Sequence, residues 1–165
     1  MIKAFNLRKI LTFIVSVLLP LAIGWLSAYV TGDIQGVYDS LIQPPFAPPG
    51  WVFPVVWTVL YILMGIALYI IVKNGFSSSE VREAVLYFGI TLIFNFLWTP
   101  VFFRFGLILF ALIWLAAMII LAVINIIQFY KINKWAGILL IPYLIWLLFA
   151  FALNLGVYLL NGPTI

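Results

Sequence analysis

The sequence predicts an all-α membrane protein, a bundle of five transmembrane helices, on three observations. First, 67% of its 165 residues are hydrophobic and only 7% are charged, whereas a soluble domain carries about 25% charged residues. Second, five apolar runs are each close to the roughly twenty residues that cross a bilayer core. Third, the basic residues fall at the ends of these runs, where they set the orientation of a membrane protein. The net charge of +4 is therefore not a sign of a nucleic-acid partner.

The predicted spans form a single transmembrane domain over residues 1–165, with residues 31–50 as the first loop. The first apolar run is too long for the core of a signal peptide, so we expect it to remain as a helix. Glu80 following Ser77 resembles a capping box and predicts that the third helix begins near Ser78. The predicted spans are 10–30, 51–72, 84–103, 106–130 and 135–160.

The distribution of lysine and arginine predicts the orientation in the membrane. Seven of the eight basic residues fall on one side and only Arg104 falls on the other. Because cytoplasmic loops carry the excess of positive charge, the N-terminus is expected in the cytoplasm and the C-terminus outside. The seven residues are Lys3, Arg8, Lys9, Lys73, Arg82, Lys131 and Lys134.

Several function classes lack the residues they need. The chain has no cysteine and no histidine, which excludes disulfides, thiolate or imidazole metal sites and the commonest axial haem ligands. All four acidic residues lie in loops or at helix edges, so nothing supplies the mid-span charge of a pump, an ion-coupled carrier or a voltage sensor. Conventional acid–base or nucleophilic catalysis is also unsupported, and neither a metal nor a required cofactor is expected. The acids are Asp33, Asp39, Glu80 and Glu83.

Three predicted helix faces combine aromatic rings with a polar side chain. Rings of this kind, together with a few hydrogen-bonding groups, suit a flat hydrophobic ligand. The alternative is that the rings are packing residues and the amides join neighbouring helices. The faces are Trp57 with Tyr61, Asn95 with Trp98 and Thr99, and Trp146 with Ala150 and Asn154.

The stretch "QPPFAPPGWVFPVVWTVLY" (residues 43–61) leads from the first loop into the second span. Its first four prolines favour stiff, extended backbone, and Pro54 fits the first turn of a helix. We interpret the stretch as the rim and lid hinge of a pocket whose wall includes Trp57. Trp51, with Trp25 and Trp135, is assigned to the interfacial aromatic belt.

Four motifs resemble the TspO/MBR family, the tryptophan-rich sensory proteins and translocator proteins (peripheral benzodiazepine receptors). The resemblance covers nearly the whole chain, and the repeated Pro-Pro pattern before the second span is its most specific part. The motifs are "LPLAIGWLS" (19–27), "YDSLIQPPFAPPGWVFPVVWTVLYILMG" (38–65), "NFLWTPVFF" (95–103) and "PYLIWLLFAFALN" (142–154).

The resemblance implies a five-helix bundle with a pocket at the first-loop end, capped by that loop. Family members bind porphyrins, haem-related compounds, sterols and synthetic isoquinoline or benzodiazepine ligands, and they usually form homodimers. Trp57 and Trp146 match ligand-contacting tryptophans, and Asn95 and Ala150 match further pocket positions. The predicted binding set also includes Tyr61, Trp98 and Asn154, and Ala47 and Pro48 of the first loop.

The implied function is a receptor or sensor that binds protoporphyrin IX or a haem-like tetrapyrrole, in the plasma membrane of a bacterium. Two alternatives follow from the same resemblance: a light-dependent porphyrin-degrading enzyme, with Trp57 and Trp146 as its reactive residues, or a translocator of tetrapyrroles or sterols. Sterol recognition through the C-terminal motif of animal members is disfavoured because no basic residue follows Tyr158.

Overall fold

The computed structural model describes residues 7–73 and 75–165, so Lys3 lies outside the described residues. It confirms the predicted fold class: five long helical segments are apolar and long enough to cross a membrane. Their elements are α1 (Leu7–Thr31), α3 (Val52–Val72), α4 (Ser79–Thr99) continuing into a π-helical turn (Pro100–Arg104), α5 (Ile108–Ile132), and α6 (Lys134–Leu139) followed by α7 (Ile141–Asn161). The first loop contains a short helix, α2 (Ile34–Ser40).

Local signals explain where these helices begin. The hydroxyl of Ser78 accepts a hydrogen bond from the backbone N–H of Val81, so Ser78 rather than Ser77 is the cap. As a result α4 begins at Ser79, ahead of the apolar run that starts at Ala84. Pro54 lies in the first turn of α3, where its missing N–H costs little. Pro142 likewise lies in the first turn of α7, after a break at Leu140.

The helices form a ring in which α1 packs between α3 and α4, and α5 packs between α4 and α7. The ring closes unevenly: on the side away from α1, α3 packs against α6 and only marginally against α7. We call the end that carries the first loop the loop end, and the end that carries Arg8, Lys73 and Lys131 the basic end. The main core lies towards the basic end, whereas α3 and α7 diverge towards the loop end.

A close contact joins the backbones of α1 and α3 at Gly65. Pro20 has no N–H, so the carbonyl of Ser16 loses its helical donor. The backbone of Gly65 lies against that carbonyl. A Cβ atom on Gly65 would lie 2.7 Å from the Ser16 oxygen and 2.5 Å from the Cα of Val17. Only glycine permits this approach, since both opposing atoms belong to backbone.

Gly65→Ala is therefore expected to destabilise the bundle by about 1–3 kcal/mol, the usual cost of overpacking a close contact. Gly89→Ala is the matched control, because a Cβ on Gly89 of α4 meets nothing within 4 Å. Alanine also favours helix over glycine by about 1 kcal/mol, so the control should unfold at the parent temperature or above it. Thermal unfolding in detergent measures both variants, and equal unfolding temperatures would contradict the proposed contact.

Candidate ligand cavity

A cavity of about 490 Å³ lies at the loop end, where α3 and α7 diverge. Its walls come from α1, α3, the end of α4 with its π-helical turn, and α7, and α2 closes part of its mouth. The lining is mainly apolar and aromatic, with a few polar groups. Volume and lining are both typical of small-molecule sites, which occupy roughly 300–1,000 Å³.

The structure brings six of the nine predicted binding residues to this cavity and leaves three outside its wall. Asn95 is buried behind the wall. Ala47 lies in a turn, where its N–H bonds to the carbonyl of Pro44, and the carbonyl of Pro48 accepts a bond from Tyr38. The six lining residues are Trp57, Tyr61, Trp98, Trp146, Ala150 and Asn154.

Two tryptophans supply the broad aromatic surfaces of the cavity. Trp57 of α3 stacks on Tyr61 one turn later, with ring centroids 5.3 Å apart. Trp146 of α7 contacts Phe53 edge-on at 5.9 Å and Phe149 at 5.2 Å. Because each indole is held by neighbouring rings, both present a fixed face to the cavity.

Asn95 supports the wall of the cavity through a neighbouring side chain, that of Tyr143. Its side-chain oxygen accepts a hydrogen bond of 3.0 Å from the hydroxyl of Tyr143, and the Tyr143 ring lies 6.4 Å from that of Trp57. Asn95 therefore holds Tyr143 in position behind Trp57.

A π-helical turn shapes the wall that α4 contributes. Pro100 lacks the N–H that would bond to the carbonyl of Phe96, four residues earlier. The buried hydroxyl of Ser27 in α1 donates to that oxygen at 2.6 Å. Over Pro100–Arg104 the helix is π-helical, so each backbone hydrogen bond spans one residue more than in an α-helix and the turn is wider. Aromatic residues on both sides of this change face the cavity, among them Trp98 and Phe102, which stack on each other at 5.5 Å.

Three fully buried polar atoms of the lining residues have no hydrogen-bond partner within residues 7–73 and 75–165. They are the indole nitrogen of Trp146 and both polar atoms of the Asn154 amide. Asn154 is 2% exposed. Since buried polar groups are nearly always hydrogen-bonded, these three atoms need a partner that the described residues do not supply, either water or a bound molecule. Two other deep indoles are satisfied: Trp98 donates to the carbonyl of Ala111 and Trp114 to that of Phe94.

The first loop is fixed over the cavity by side-chain hydrogen bonds. Tyr38 of α2 lines the cavity and donates its hydroxyl to the carbonyl of Pro48 at 2.7 Å. Burial, and secondarily the carboxylate of Asp39, raise the pKa of this phenol, which keeps it protonated as a donor. At the end of α7, the amide of Asn161 accepts from the N–H of Ile42 and donates to its carbonyl, both at 2.9 Å.

The family-model comparison matches residues 16–160 to the TspO/MBR family. The chain belongs to the TspO/MBR family. It is 40% identical over 155 residues to "Tryptophan-rich protein TspO" of Archaeoglobus fulgidus, covering 93% of this chain and 99% of the relative. It is 38% identical to "Tryptophan-rich sensory protein" of Cereibacter sphaeroides, covering 75% and 76%. It is also 38% identical to "Translocator protein" of Bos taurus, covering 83% and 82%.

Every residue that lines the cavity falls within the segment matched to the TspO/MBR family. Membership, with the five apolar helices, establishes a multi-pass membrane protein from a family whose members carry sensory and translocator names. Sequence reasoning missed much of the lining contributed by α1, and it assigned Trp25 to the interface although Trp25 also lines the cavity. It also missed Tyr38, Phe53, Phe102 and Phe103. The sequence signal that could have located Phe102 and Phe103 was Pro100, which begins the π-helical turn that carries them.

Replacing Asn154 by leucine should stabilise the protein, because the change removes a buried amide that has no partner among the described residues. A gain of about 1 kcal/mol would raise the unfolding temperature by about 2–4 °C. Asn125→Leu is the control, because the Asn125 amide donates to the hydroxyl of Thr91 and the carbonyl of Leu121. That variant should lower the unfolding temperature. Destabilisation of similar size in both variants would contradict this assignment.

Proposed function

We propose that the protein is a membrane receptor or sensor that binds a porphyrin in the loop-end cavity. The observation that carries the proposal is the combination of Trp57 and Trp146 with the three unpartnered polar atoms in one apolar cavity. Porphyrins are broad aromatic macrocycles with few polar groups, so stacking supplies most of the affinity and hydrogen bonds fix the orientation.

The ends of the cavity favour one orientation of such a ligand. The carboxylates of a porphyrin are costly to place in hydrocarbon, so they would face the loop end. Arg104 lies at that end, where its guanidinium donates to the carbonyl of Val30 beside the cavity wall. The macrocycle itself would lie deeper, between the indoles. The unpartnered amide of Asn154 would then bond to a polar atom of the ligand.

Titration with protoporphyrin IX, followed through its main absorption band, tests the proposal. Trp57→Ala with Trp146→Ala should weaken binding by roughly 10- to 30-fold, since each lost aromatic contact costs about 1 kcal/mol. The matched control is Trp114→Ala with Trp135→Ala, which removes two indoles that do not line the cavity. Equal affinity of parent and cavity variant would refute the site.

A comparison with haem examines the role of the metal. The chain has no histidine or cysteine, so shape and stacking should govern recognition, and haem should bind within a few-fold of the iron-free porphyrin. A strong dependence on iron would contradict this.

A second candidate function is light-dependent breakdown of the bound porphyrin. The supporting observation is the aromatic series that runs from Trp57 to Tyr61 at 5.3 Å and to Tyr143 at 6.4 Å. An excited porphyrin beside Trp57 would take one electron from the indole, leaving an indole radical cation and a porphyrin radical anion. Dioxygen, the co-reactant, would add to a methine bridge of the porphyrin radical anion. The carbon–carbon double bond of that bridge would break to give two carbonyl groups, and the electron would return to the indole radical cation, so the net change is one dioxygen added per porphyrin. No acid–base residue is needed for this electron transfer.

Bleaching of the porphyrin absorption under illumination distinguishes the two functions. If the second function holds, bleaching in air should be faster with the parent protein than in detergent alone, and it should slow when Trp57 becomes phenylalanine, which stacks but is much harder to oxidise. Samples without dioxygen should bleach slowly. The rate for Trp57→Phe is compared with that of the parent at equal porphyrin occupancy. A parent rate equal to that in detergent alone would leave only binding.

A further inference from the structure

A second cavity, of about 310 Å³, lies at the basic end of the bundle, far from the first loop. It lies between the beginning of α1 and the end of α3. Three cations line it: Arg8 and Lys9 from α1, and Lys73 from α3. The hydroxyl-bearing residues Thr12 and Tyr69 also line it, and none of the lining residues among the described part of the chain is acidic.

The positive charge in this cavity is not neutralised within the part of the chain that the structure describes. The guanidinium of Arg82 donates to the carbonyl of Phe76, which lines the cavity, and to that of Ser77. The guanidinium of Arg104 donates to the carbonyl of Val30 at the loop end. The hydroxyl of Thr12 donates to the carbonyl of Arg8 at 2.8 Å, which orders the first turns of α1. Three like charges around one cavity repel one another, so an anion placed among them would be stabilised.

Membrane topology alone accounts for the sign of these charges but not for their convergence. Lys131 and Lys134 lie on the same predicted side, yet neither lines this cavity. Tyr69 is also held in position, since its ring meets that of Phe13 edge-on at 5.2 Å. The cavity therefore combines three cations with a positioned phenol.

We infer that this cavity binds the phosphate group of an anionic glycerophospholipid. Its position supports a lipid, because it lies at the end of two membrane-spanning helices, where headgroups are found. The face of α1 that begins at Arg8 continues with Leu11, Val15 and Leu18, which are 51%, 62% and 55% exposed. These residues recur at helical spacing and form an apolar track for acyl chains directly beside the cations. The assignment is independent of the porphyrin proposal.

Binding of labelled phosphatidylglycerol and of phosphatidylcholine with the same label, in neutral detergent, tests the inference. The parent protein should prefer phosphatidylglycerol. The double variant Lys9→Gln with Lys73→Gln should bind phosphatidylglycerol roughly 25-fold more weakly, at about fivefold per cation. Its affinity for phosphatidylcholine should equal that of the parent. The control is Lys131→Gln with Lys134→Gln, which removes the same charge from the same end and should have little effect.

Tyr69→Phe provides a test that leaves the net charge unchanged. It keeps the ring against Phe13 and removes only the hydroxyl. Loss of a hydrogen bond to a charged group predicts about tenfold weaker binding of phosphatidylglycerol. Unfolding temperatures close to that of the parent would show that the variants are folded.

Three results would overturn the inference. Equal preference of the parent protein for the two lipids would remove the site. Equal loss in the two double-lysine variants would show a general effect of surface charge. Competition by inorganic phosphate at a concentration similar to that of the lipid would indicate a site for a soluble phosphate, and the lipid assignment would fail.

Discussion

The requirement that backbone carbonyls stay hydrogen-bonded in hydrocarbon governs this structure. Pro100 withdraws a donor from the carbonyl of Phe96, and the hydroxyl of Ser27 replaces it at 2.6 Å. That single bond joins α1 to α4 at the point where α4 becomes π-helical. The wider turn that follows brings Phe102 and Phe103 to the cavity. The shape of the loop-end cavity thus depends on how one proline is accommodated.

The other proline inside a spanning helix also frees a carbonyl, with a different outcome. Pro20 frees the carbonyl of Ser16, and the backbone of Gly65 closes upon it. There the helices approach as tightly as glycine allows, and the core beside them is continuous. At the loop end, α3 and α7 diverge and leave space. A tightly packed half therefore supports an open half, as expected where binding groups are held by a rigid scaffold.

Buried amides show how environment assigns different roles to one residue type. Asn125 bonds to Thr91 and to its own helix, and Asn95 accepts from Tyr143. Asn154, buried to a similar degree, has neither polar atom paired among the described residues. The first two amides join or position neighbouring side chains, and the third faces a cavity. At the basic end, Arg8, Lys9 and Lys73 line one cavity together, and its described lining includes no acidic residue.

The sequence by itself determined the all-α fold, because composition and span length leave a chain in lipid few alternatives. It also placed Trp57, Trp146 and Asn154 on helix faces, since spacing along one helix is a local property. Only the tertiary structure decided which faces converge. It placed Asn95 behind Tyr143, added Tyr38 and Phe102 to the lining, and brought Lys9 and Lys73 to one cavity. Helix rotation and divergence depend on distant contacts such as Ser27 with Phe96, which no local pattern encodes.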